Sequence, residues 1–368
     1  MSKMPDEIIL KVFSFLRDPI DLCNSAKVCR KWNVLAKDDK LWHKMCRIHF
    51  HCTSSHHLFR EGGKSHFIQI RDRALRYGYE LNRVNRAGDT ALIAELTKFS
   101  IDESIIVALI EHGVDVNKKN REGATALFLA IGRHRNTSIV KSLIDHGALI
   151  DVPNKYGDVP LHLAAVQGDD DAISTLIQYN ADINARNHDG DCALHRAASF
   201  GQLSTVQLLV DHGADLNVRN RNGFTPLHYA TYNGHLFTVR WIIHQNVVDI
   251  NVRNNFGDAP MHVAAAQGHL AAVHWLWQHG ADLSVVNHSG ASPLHCAAAN
   301  GHKKVVEWLV LHGADIHIRN ANGDTPVHVA IRLHQHAVAQ WLFEQFGFNG
   351  RLKRPTVIPA RVPLRIKI

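Results

Sequence analysis

Six histidines recur through this sequence at nearly constant spacing: His162, His195, His228, His262, His295 and His328 lie 33, 33, 34, 33 and 33 residues apart. An imidazole that both donates and accepts near neutral pH is a first candidate for acid–base chemistry or metal ligation. Either use needs several side chains converging on one point, and one histidine per period gives no convergence. The same two-faced ring suits another task, that of tying each unit of a repeating structure to the next. A second concentration, Cys46 and Cys52 among His43, His49, His51, His56 and His57, has the atom types for zinc. It lacks the paired Cys-x-x-Cys or His-x-x-x-His regularity of a metal site. Phosphate loop, Gly-x-Ser-x-Gly elbow and His-Glu-x-x-His are all missing from the sequence. The expectation is a chain with no catalytic residue, metal or cofactor of its own, acting by binding.

The elements that must carry these histidines follow from the period. Gly88, Gly123, Gly157, Gly190, Gly223, Gly257, Gly290 and Gly323 anchor one recurring phrase at separations of 33 to 35 residues. After each anchor stands a variant of Thr-Pro-Leu-His, clearest as Thr225-Pro226-Leu227-His228. Small residues, a glycine, a second apolar segment such as Val305 to Val310, and a close such as His312-Gly313-Ala314-Asp315 complete the unit. Thr is placed to cap a first helix and Pro to occupy its first turn, where no intrahelical acceptor is needed for an N–H. The inter-helix glycines, Gly201 among them, allow a tight reversal into a second helix. Period and phrase together resemble the ankyrin-repeat family over about residues 85 to 349. That resemblance implies eight units, at residues 86–349, each a β-turn finger followed by two antiparallel helices, in an all-α solenoid. The first units depart from the phrase, with Ala91 and Ile93, then Ala126 and Phe128, in place of Pro and His. The eighth has His334 where the inter-helix glycine belongs. A connector at 51–85 contains Gly78, ten residues before Gly88, and reads as a half-repeat covering the end of the stack.

The net charge of +7 divides unevenly. Residues 1 to 85 hold 16 basic and 9 acidic side chains, residues 86 to 349 hold 19 and 25, and the last 19 hold 6 and 0. Phosphate affinity needs clustered cations, so the acidic array is not built for nucleic acid. The tail at 350–368, with Pro355, Pro359 and Pro363, reads as a flexible basic segment or a nuclear-targeting one. No apolar run reaches the length of a membrane span, and the six cysteines have no framework spacing, so a reducing cytoplasmic or nuclear setting is expected.

Residues 4 to 46 carry a different pattern. Pro5 suits a first helical turn, and Ile8, Ile9, Val12, Phe13 and Leu16 follow as one broad apolar face. Asp18-Pro19 opens a second helix with Ile20, Leu22, Cys23 and Ala26, and Trp32, Leu35, Leu41 and Trp42 complete the set. About forty residues bury only a thin core, so this much apolar surface calls for a partner chain. The order Met4-Pro5-Asp6-Glu7-Ile8-Ile9, Val12 to Leu16, Asp21-Leu22, Val28-Cys29-Arg30-Lys31-Trp32 and Leu41-Trp42 closely resembles the F-box. The resemblance implies a three-helix module at 1–50 that packs against the Skp adaptor subunit of cullin ubiquitin ligases. Matched by position, Pro5, Ile8, Ile9, Val12, Leu16, Val28, Cys29 and Trp32 are its expected contacts or supports.

The combined expectation is a receptor whose array holds a protein substrate while the F-box docks the ligase. The positions flanking each anchor glycine and preceding each inter-helix glycine line the concave side in the ankyrin family. Here they hold Tyr156, Phe200, Phe224, Tyr232 and Phe256, read as solvated aromatics, with Asp158, Asp191 and Asp258 around them. Aromatics are enriched at interface hot spots, so these eight residues form the expected substrate surface. Two other readings stand beside this one: an ankyrin scaffold or inhibitor without ubiquitination, and a chromatin factor acting through the basic tail.

Overall fold

The computed structural model describes residues 84–98, 103–111, 113–134 and 137–346, together with Asn82. The expected F-box at 1–50, most of the connector at 51–85, and the tail at 350–368 lie outside the described residues, as does the Cys/His concentration at 43–57. Among the described residues there are sixteen helices, in eight consecutive pairs, and no strand. The first helices run Ala91–Leu96, Ala126–His134, Pro160–Gln167, Ala193–Ser199, Pro226–Tyr232, Pro260–Gln267, Pro293–Ala299 and Pro326–Arg332. The second helices run Glu103–Glu111, Thr137–Asp145, Asp170–Gln178, Leu203–Asp211, Leu236–His244, Leu270–Gln278, Lys303–Leu311 and His336–Phe346. Each helix packs on its partner in the pair and on its counterparts in adjacent pairs, so the core is one continuous layer.

That layer follows from the repeat phrase. Leu92, Leu127, Leu161, Leu194, Leu227, Met261, Leu294 and Val327 occupy the same position of successive first helices, and none is more than 2% exposed. Leu109, Leu143, Leu176, Leu209, Ile242, Leu276, Leu309 and Leu342 occupy one position of successive second helices, and none is more than 6% exposed. The buried alanines, such as Ala164, Ala197, Ala230, Ala264, Ala297 and Ala330, let first helices lie close to one another. The reversal between helices needs a left-handed residue: Gly201 has φ of 70°, and a Cβ there would sit 2.5 Å from His235 Nδ1. His334 takes the same conformation at φ 59°. A non-glycine residue there bears a cost of about 1–2 kcal/mol, tolerated at the end of the stack.

The expected threonine cap needs correction. Thr90 Oγ1 does accept from the Ile93 N–H at 3.3 Å, and Ser292 Oγ accepts from the His295 N–H. In five repeats, however, the main cap is the histidine three residues on. Its Nδ1 accepts the N–H of Val159, Cys192, Thr225, Ala259 or Ser292 at 3.1–3.2 Å. Because the ring reads the backbone N–H, the cap residue is free to be Val, Cys or Ala as well as Thr.

Candidate functional site

The fingers between helix pairs are built on one residue. An asparagine stands three positions before every anchor glycine, from Asn85 to Asn320. The Oδ1 of Asn187 accepts the N–H groups of Asp189 (3.0 Å) and Asp191 (2.9 Å), closing the turn around Gly190. Asn154, Asn220 and Asn254 repeat this geometry. Adjacent fingers then join through their backbones: His188 N–H donates to Tyr156 O, Arg221 N–H to Asp189 O, and Asn255 N–H to Asn222 O, at 2.9–3.1 Å. The register extends upstream of the first full pair. Asn82 Oδ1 accepts the Asp115 N–H at 2.8 Å, as Asn117 Oδ1 does for the Leu149 N–H one repeat later.

Side chains link the fingers too. Asn187 Nδ2 donates to Asp158 (2.8 Å), Asn220 Nδ2 to Asp191 (2.8 Å), and Asn287 Nδ2 to Asp258 (2.7 Å), each reaching back one repeat. Asp191 also accepts from the Tyr229 hydroxyl at 3.1 Å. Burial first and Asp191 second push that hydroxyl's pKa upward. The acid is replaced by Ala124, Phe224 and Ala291 in three repeats, and opposite Phe224 the buried Nδ2 of Asn254 has no acceptor. At the last repeat no further asparagine follows in register, and Arg332 pairs with Asp324 at 3.1 Å instead.

The periodic histidines complete the links. The Nε2–H groups of His162, His195, His228, His262 and His295 donate to the carbonyls of Asp191, Phe224, Asp258, Ala291 and Asp324 in the next repeat, at 2.8–3.1 Å. With Nδ1 accepting from the cap, the two bonds fix one neutral tautomer. Desolvation lowers the pKa of all five, that of His228 to about 4. These rings are structural ties, as their spacing implied.

The structure sorts the expected substrate residues into two sets. Tyr156 and Phe256 on the fingers and Phe200 at the end of a first helix are 60%, 49% and 44% exposed. Lys155 Nζ lies 4.9 Å from the Tyr156 ring centre and Arg196 lies 5.9 Å from that of Phe200, so two of these rings carry cations. Tyr232 is half-buried, and its carbonyl accepts from His269 Nε2. Phe224 corrects the expectation of a solvated aromatic: it is 4% exposed, packed against His228, Tyr229 and Phe256. The position after the anchor is covered by the neighbouring repeat, which also buries Asp191 and Asp258 at 2% and 8% exposure. Asp158 is half-buried and holds Asn187. All three acids therefore serve the ladder. The accessible surface is Tyr156, Phe200 and Phe256, with Tyr232 beside them.

Models of ankyrin repeats (3 copies) match residues 65–153, 93–187, 182–254, 243–320 and 261–353. The chain belongs to the ankyrin-repeat family. Ahead of the ankyrin array, an F-box-like model matches residues 1–48. Over that segment the chain is similar to an F-box protein of Saccharomyces cerevisiae, 49% identical over 49 residues, or 13% of this chain and 8% of that one. It is also similar to probable E3 ubiquitin ligase complex SCF subunits sconB of Talaromyces stipitatus and Aspergillus fumigatus. These are 46% and 43% identical over 55 and 51 residues, 14% of this chain and 8% and 7% of theirs. The chain thus spans less than a tenth of the length of these curated relatives.

Two features of the ankyrin array escaped the sequence reading. The asparagine at the same finger position of all eight repeats was visible as a repeated letter. Its role as a two-way link depends on which acid sits opposite, 29 residues earlier. The second is Trp241, Trp275, Trp308 and Trp341, each 18 residues after its anchor glycine in the last four ankyrin repeats. Among the described residues no group of His, Cys, Asp and Glu is arranged to hold a metal, and no helix is long and apolar enough to cross a membrane.

Proposed function

We propose that this protein is the substrate-recognition adaptor of a Skp–cullin–F-box ubiquitin ligase. In this reading the F-box segment docks the Skp subunit through Pro5, Ile8, Ile9, Val12, Leu16, Val28, Cys29 and Trp32, and the ankyrin array holds a protein substrate. The observation that carries it is the pairing of an F-box-like segment, 43–46% identical to that of proteins named as probable SCF subunits, with a repeat array that offers a surface for protein binding. Catalysis is then proximity: the substrate is held near a ubiquitin-charged enzyme whose chemistry belongs to another chain. The array itself supplies orientation, since its fingers and helices are cross-tied into one continuous body by the asparagine and histidine ladders.

The test is retention of the Skp subunit by the full chain. Leu16→Glu places a carboxylate in the apolar interface, and Trp32→Ala removes a large contact. Each is expected to lower co-purified Skp subunit at least about ten-fold, while the melting of the array stays as it was, because a solenoid's stability is set by neighbouring repeats. Undiminished co-purification of the doubly substituted chain would leave an ankyrin scaffold in place of a ligase adaptor.

The exposed aromatics locate the substrate surface. Replacing Tyr156, Phe200 and Phe256 by Ala should reduce substrate capture by about ten-fold or more, roughly 1.4 kcal/mol. Circular dichroism melts should barely change, since all three rings are 44% exposed or more. Phe224→Ala is the contrasting variant, expected to lower the melting temperature because its ring is packed among three others.

A further inference from the structure

The second helices of repeats 5 to 7 carry an aromatic strip on the opposite helix layer from the substrate surface. Arg240 lies 4.1 Å from the ring centre of Trp275, which packs on His279 at 3.9 Å and His244 at 5.6 Å. One repeat further on, Trp277 meets Trp308 at 5.5 Å and His312 at 4.8 Å, and Trp308 stacks on His312 at 3.9 Å. These rings bridge Leu236–His244, Leu270–Gln278 and Lys303–Leu311. Trp277 is 38% exposed, and Phe237 and Leu311, on the same helices, are 74% and 78% exposed. An exposed tryptophan within ring contacts that cross three helices, with Phe237 and Leu311 exposed on two of those helices, exceeds the isolated apolar side chains common on a surface.

The charge of the strip contrasts with the rest of the array. Its helices hold Arg240, Lys303 and Lys304 against Glu307, within an ankyrin region that is acidic overall. The second helices of repeats 3 and 4 hold Asp170, Asp171 and Asp211 and no lysine or arginine. We infer that the strip is a second docking surface, and that its occupant is an acidic segment of a partner protein bearing apolar side chains. Leucine or aromatic anchors would lie on Trp277, Trp308 and Leu311, and carboxylates would face Arg240 and Lys304. The chain's own tail does not fit, because it carries six cations and no acid. A second copy fits poorly: the second helices of repeats 3 and 4 offer acid but none of the exposed large apolar side chains.

The strip reports on its own occupation, since its tryptophans change fluorescence when covered. The full chain is titrated with a short synthetic helix carrying Leu at helical spacing on a Glu background, and with the same helix on a Lys background. The acidic helix is expected to bind at least about ten-fold tighter. Trp277→Ala with Leu311→Ala, and separately Arg240→Glu with Lys304→Glu, should each weaken it about ten-fold or more, with the array still folded and melting above the assay temperature. Capture through Tyr156, Phe200 and Phe256 should stay intact in both variants. Equal binding of the two helices, or indifference to both variants, would overturn the inference. So would tighter binding to phosphatidylserine vesicles than to the acidic helix, which makes the strip a lipid surface. Self-association in sedimentation, lost in the same variants, would assign it to a second copy.

Discussion

Lowering the pH from about 7 to about 5 is expected to destabilise the ankyrin array by several kcal/mol. Buried histidines are the cause. His162, His195, His228, His262 and His295 each accept a cap N–H at Nδ1 and donate from Nε2 to the next repeat, so protonating Nδ1 breaks the cap bond and places a charge where burial opposes it. Their folded-state pKa values lie below the 6.5 of an unfolded histidine, that of His228 at about 4. Between those values the unfolded chain binds protons that the folded chain refuses. Stability is therefore complete above pH 6.5 and falls as the pH drops toward about 4. For His228 the gap is worth about 3 kcal/mol, and the other four add to it in the same direction. Urea unfolding followed by circular dichroism should show the midpoint falling steadily across this window, with a shallower fall for His228→Gln. A midpoint indifferent to pH down to 5 would mean that the ladder is not neutral in the folded state.

Asp191→Ala should cost about 2 kcal/mol in urea unfolding near neutral pH. Asp191 is 2% exposed and accepts from both Asn220 Nδ2 and the Tyr229 hydroxyl, so the substitution strands the Tyr229 O–H and leaves Asn220 Nδ2 only the Tyr229 oxygen, at 3.1 Å, to donate to. A stranded buried donor costs about 1–3 kcal/mol, and the weakened Asn220 link adds to it, offset in part by removing a buried charge. Asp189→Ala on the same finger is the control. That residue is exposed, so its loss is expected to stay within about 0.5 kcal/mol. If Asp191→Ala left the midpoint unmoved and weakened substrate capture instead, the acid would belong to the binding surface after all.

The helix pairs, their order and the tying role of the histidines were legible because each depends on a period that a single sequence displays. His195 recurs 33 residues after His162, and a residue that repeats once per unit has one kind of neighbour. The exposure of individual finger positions was harder to read. The residue after the anchor glycine looks like a turn residue within one repeat, yet the next repeat covers it, which is why Phe224, Asp191 and Asp258 are buried while Tyr156 and Phe256, before the anchor, are exposed. The orphaned Nδ2 of Asn254 has the same origin: Phe224 gains apolar contact and the junction loses its carboxylate. The tryptophan column was hidden by an ordinary appearance, since an apolar residue in a second helix reads as core. Only the stacking of one helix against the next shows that Trp277, outside that column, packs on its member Trp308 and stays accessible.

The adaptor reading is tested most directly by comparing the intact chain with one lacking residues 1 to 50, in the same cells, for both captured proteins and their ubiquitination. Both chains should capture the same set through the array. Proteins in that set should carry ubiquitin and decline in abundance only with the intact chain. Equal ubiquitination and equal abundance with both chains would contradict the account.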